Sequence, residues 1–72
     1  MAEHVPFVST DEAKTMLPDA CAWYTGQAHY LSEDSPIRQV ARRVFHKDMV
    51  THLNAVCAEV FFVVAQESVK SS

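Results

Sequence analysis

After Pro36 the chain runs 36 residues to its C-terminus without a glycine or a further proline, and the run opens at a helix-start signal, Ser35-Pro36. The serine hydroxyl can accept from the first unpaired backbone N–H groups, and a proline at the first helical position has no N–H to leave orphaned. The stretch therefore predicts one helix over 36–68, about 50 Å long at about 1.5 Å per residue. A single helix of that length has no core of its own. It must borrow one from the rest of the chain, from a second copy or from a partner.

The first half supplies a candidate. Ser9-Thr10-Asp11-Glu12 matches a capping box, in which Ser9 accepts from the backbone of Glu12 and Glu12 reaches back to Ser9. Val8 and Ala13 suit the accompanying hydrophobic staple. From there Ala13, Leu17, Ala20, Tyr24 and Leu31 recur at coiled-coil spacing, with Gln27 at the missing step, so a first helix is expected over 9–32. Pro18 removes one hydrogen bond and clashes with the carbonyl of Lys14, which predicts a kink, or else a short helix followed by a second one beginning at Pro18. Gly26 costs a helix interior about 1 kcal/mol relative to alanine and reads as a close approach of another backbone. Residues 1–8 are expected to be an extended arm, 33–35 the turn, and 69–72 a disordered tail. The expectation is a single all-α domain, a helical hairpin that dimerises into a four-helix bundle.

Size favours the dimer. In 72 residues a single core rarely supplies more than about 3–5 kcal/mol, and disulfides, a metal or oligomerisation usually supplement it. Cys21 and Cys57 are too few for a disulfide scaffold, and a hairpin turning near Asp34 would hold them about ten residues out of register. Both are expected to be buried thiols in a reducing, cytoplasmic setting. The run Val60-Phe61-Phe62-Val63-Val64 is apolar on every face. Its β-branched and aromatic content would suit a strand, but no turn signal separates it from the helical pattern before it. One neighbouring helix cannot cover it, so Leu53, Val56, Val60, Phe61 and Val64 are the expected dimer interface.

Charge divides the chain in two. Residues 1–34 carry six acids against Lys14, a balance of −5, and residues 35–72 carry five bases against three acids, a balance of +2. The halves attract each other, and net acidity disfavours a nucleic-acid partner. Arg38, Arg42, Arg43, His46 and Lys47 line one side of the second helix near its N-terminal half, where the macrodipole disfavours cations, so compensating anions are expected there. The first helix offers Asp19, with Glu33 in the turn beside it. Arg38, Arg42, Arg43 and Lys47, with the outer-face aromatics Trp23 and Tyr30, are the candidate contacts to a protein partner.

Chemistry is not signalled. His46 and His52 face different sides of a helix, and His4 and His29 have no ligand at i+3 or i+4, so no metal spacing is present. Cys21 and His46 could approach across a hairpin, but no oxyanion loop or pocket accompanies them. No enzymatic activity, metal or cofactor is expected. The plan from Ser9 to Ser68, a capped helix, a polar turn and a second helix ending in an apolar run, resembles the small two-helix proteins encoded by pseudomonads and their phages. Some phage members bind and disable host regulatory proteins, including quorum-sensing transcription factors. The resemblance is one of pattern, assigns no residue by position, and has Pro18 and the basic run as departures. It implies a protein-interaction module that modulates a larger regulatory protein or enzyme. The alternative is a small dimeric DNA-binding regulator presenting the basic stripe to phosphate.

Overall fold

The computed structural model describes residues 5–26 and 31–71, which form three helices: α1, Thr10–Thr25; α2, Pro36–Phe45; and α3, Val50–Ser71. No strand occurs among the described residues. The packing is hairpin-like, with α1 lying most extensively on α3, but the expected second helix is two helices bent by 107°.

α1 starts as its sequence requires. The Ser9 hydroxyl accepts from the Glu12 backbone N–H at 3.1 Å, and the Glu12 carboxylate accepts from the Ser9 N–H at 3.1 Å. The helix runs through Pro18 as one element; Lys14 and Pro18 are both exposed, so the carbonyl deprived of its donor faces water. It stops at Thr25, short of the expected residue 32. Gly26 is the reason: with φ 75° it is a left-handed cap whose N–H donates back to Ala22 and Trp23. A Cβ built on Gly26 would meet nothing within 4 Å, so its role is conformational and no backbone approaches it closely.

The buried seam of α1 also differs in phase. Ala13, Met16 and Ala20 are the buried residues and Trp23 packs against the core, whereas Leu17 is half-buried and Tyr24 is 53 % exposed. Apolar residues at both 16 and 17, and at both 23 and 24, make the two phases indistinguishable by spacing alone.

At the start of α2, Ser35 is buried; its hydroxyl accepts from the Ile37 N–H at 3.2 Å and donates to Asp19 at 3.5 Å. The helix ends at His46, a non-glycine residue at φ 63°, ψ 14°. α3 restarts beyond it, with the N–H groups of His52 and Leu53 both bonded to the Met49 carbonyl. No glycine or proline marks this corner, which is why the sequence reads as unbroken.

The bend changes what α3 packs against. With α2 folded back, α3 is met by two helices and by the arm, and Leu53, Val56, Cys57 and Val60 are all but inaccessible. Leu53, Val56 and Val60, expected at a dimer interface, lie in the chain's own core and have no surface left to offer a partner. Phe61 and Val64 pack on the edge of that core. In the arm, Val8 is buried, and Phe7 meets the Phe45 ring edge-on at 5.7 Å. Phe7 N–H donates to the buried carboxylate of Glu59 at 3.0 Å.

Candidate functional site

The arginine row is occupied from within the chain. Asp48 Oδ2, just beyond α2, accepts from Arg38 Nη1 at 3.2 Å and Arg42 Nε at 2.9 Å. Arg42 also pairs with Glu33 at 2.8 Å, and Arg43 pairs with Glu12 at 3.2 Å. Arg38 Nε donates to the Leu31 carbonyl at 2.8 Å. Arg38, in the first turn of α2, has the anion that the macrodipole argument requires, whereas Arg42 and Arg43 stand in the last turn, where the dipole favours cations, so for them the expected penalty is absent although both are paired. Of the anions, Glu33 is the one the sequence points to; Glu12 and Asp48 join it unannounced, and Asp19 is turned to Ser35 instead. Hydrogen bonds and charge from Arg42, and then from Arg38, hold the Asp48 carboxyl below the usual aspartate range. The same contacts raise Arg42 further. Glu12 is lowered first by the Ser9 backbone N–H and then by Arg43.

Three of the four basic residues assigned to partner contact therefore hold the α2–α3 corner and tie it to α1. Lys47 is exposed on the corner itself, beside exposed Met49 and Val50. Trp23 is half-buried and donates from Nε1 to Asn54 Oδ1 at 2.5 Å; its neighbour Tyr24 lies 5.4 Å from the Phe61 ring. Both join α1 to α3. Tyr30 lies outside the described residues, as do His4 and His29.

Among the described residues no group of three His, Cys, Asp or Glu side chains is arranged to hold a metal. Cys57 is buried as expected, and burial pushes its thiol up to about 11; Cys21 is exposed, contrary to expectation, and both are free. A shallow groove of about 240 Å³ lies between Asp11, Glu12, Thr15, Met16 and Pro36. No single helix is long and apolar enough to cross a membrane.

The surface the sequence reading did not single out is the outer face of α3. Thr51, Ala58, Phe62, Ala65, Gln66 and Val69 are exposed along it, and Ala55 is half-buried beside them. None of these residues is charged. The acids of α3 lie elsewhere: Glu59 is buried and Glu67 half-buried. Phe62 is 38 % and Val69 72 % exposed. The signal was available as a second apolar periodicity on the same helix, masked by the stronger one that makes the core. Compared with known proteins, the chain matches no family model, no curated protein and no solved structure.

Proposed function

We propose that the chain is a non-enzymatic protein-interaction module that binds and modulates a larger regulatory protein or enzyme, and that it does so as a homodimer. The observation carrying this reading is the uncharged outer face of α3. The solvent face of a helix in a free-standing domain ordinarily carries charge. Here, in a chain with a net charge of −3 and 15 charged residues, the described residues of that face are all neutral, with an aromatic ring among them. Exposed apolar surface of this kind marks a place where another surface docks, and an apolar helix face fits a helix or a groove.

The arginine pairs weigh against the DNA-binding alternative. Arg38, Arg42 and Arg43 would have to give up Asp48, Glu33 and Glu12 before meeting phosphate. The test is affinity capture from the native host lysate with wild type, Phe62→Glu, and Arg42→Glu/Arg43→Glu proteins side by side. A stoichiometric protein retained by wild type and lost with Phe62→Glu supports the module. Recovery of nucleic acid alone, lost with the arginine variant, overturns it.

A further inference from the structure

Thr51, Ala55, Ala58, Phe62, Ala65 and Val69 follow one another along the outer face of α3 at spacings of four, three, four, three and four. That is the heptad spacing which keeps one seam of a helix facing another helix along its length. We infer that this seam takes a second copy of α3, antiparallel, about a two-fold axis at the height of residue 60, between Ala58 and Phe62, an inference that rests on the outer face of α3 being an interaction surface.

The seam is complementary to its own reverse. Turned end for end about residue 60, it sets Phe62 against Ala58, Val69 against Thr51 and Ala55 against Ala65. At two of these pairs the larger side chain meets a smaller one, as packing knob into hole requires, the two alanines allow close approach between them, and the contact is isologous, so it closes at two copies. A parallel in-register pair would instead set Phe62 against Phe62 and Ala58 against Ala58, crowding one level and leaving a gap at the next. The centre of complementarity also falls at the middle of Val50–Ser71, so the two helices overlap over their whole length with opposed dipoles.

Charge and area agree with this occupant. Two acidic chains can meet here because neither brings a charge to the seam. From Thr51 to Val69 the seam is about 27 Å long at about 1.5 Å per residue. Two helices in contact over that length bury on the order of 1,000 Å² in total, the lower bound for a specific interface.

Sedimentation equilibrium over a concentration series tests the inference, with far-UV circular dichroism confirming the fold of each variant. Wild type is expected to be a reversible dimer. Phe62→Glu and, at the smaller partner position, Ala58→Glu should each weaken it by at least about 30-fold, as loss of a central contact does. Ala55→Glu should weaken it as well, and adding Ala65→Lys in the same chain should restore it, because the carboxylate introduced at position 55 then faces the ammonium introduced at position 65 of the other copy. A folded wild type that stays monomeric at high micromolar concentration, or an Ala55→Glu/Ala65→Lys protein no better than Ala55→Glu, overturns the antiparallel pair. Phe62-dependent capture of a protein partner by such a monomer would leave the interaction module standing, so the two failures are distinguishable.

Discussion

The corner at residues 46–49 can be tested by the sign of one comparison, His46→Gly against His46→Ala. Both variants remove the same exposed imidazole, so the difference between them reports the backbone alone. In a single unbroken helix, glycine at position 46 would be less stable than alanine by about 1 kcal/mol. In the corner described above, residue 46 sits at φ 63°, ψ 14°. That left-handed conformation costs a residue with a Cβ about 1–2 kcal/mol, whereas glycine adopts it freely. The greater freedom of glycine in the unfolded chain offsets part of this, leaving glycine ahead by about 0.5–1 kcal/mol. For a domain of this size about 1 kcal/mol moves Tm by roughly 4–8 °C. Thermal unfolding followed by circular dichroism should therefore place His46→Gly a few degrees above His46→Ala. The reverse order would refute the corner and restore one continuous helix.

Three further outcomes are expected. Leu53→Ala, at a position 1 % exposed, should cost about 2–5 kcal/mol, comparable with the total stability of a domain this small, so urea titration should find it largely unfolded at low denaturant. Asp48 and Glu12 are both held below their ordinary values; the stability they contribute is present above the ordinary carboxylate pKa and lost as pH falls through the lowered ones. Asp48→Asn should accordingly unfold at lower temperature than wild type at neutral pH, and the gap should close in acid. Cys57, raised to about 11 from 9.0, keeps its contribution below pH about 9 and loses it as pH rises toward about 11. In the folded protein a thiol reagent should modify Cys21 at once and Cys57 only at the rate of opening.

Features set by neighbouring residues were legible in the sequence. The Ser9 capping box and the Ser35-Pro36 start use side chains within three positions of the groups they satisfy, and both are present as read. The all-helical class followed from the same patterns. The corner was not legible, because His46 has no intrinsic preference strong enough to announce a left-handed residue. What holds it there is tertiary: Asp48 reaching back to Arg38 and Arg42, and α2 covering α3. Gly26 could be read two ways, and the absence of a glycine elsewhere pulled the reading toward packing when its use is to end α1. Missing the corner misplaced the candidate surface too, since Leu53, Val56 and Val60 need a partner chain only if α2 does not fold over them. With the core face of α3 covered by α1 and α2, the surface proposed for a partner moves to the opposite one.

The bond from Phe7 to Glu59 joins residues 52 apart in sequence and bears on the order in which the molecule assembles. Closing so long a loop is entropically costly until the chain between its ends is already structured. The Phe7 ring, moreover, rests on Phe45, which is in place only when α2 has ended and the chain has turned. The cap of α1 can form alone and early; the arm can dock only after both later helices stand in position. Docking of the arm is therefore expected to follow formation of the corner, and exchange of the Phe7 amide proton, bonded to Glu59, is the measurement that checks it.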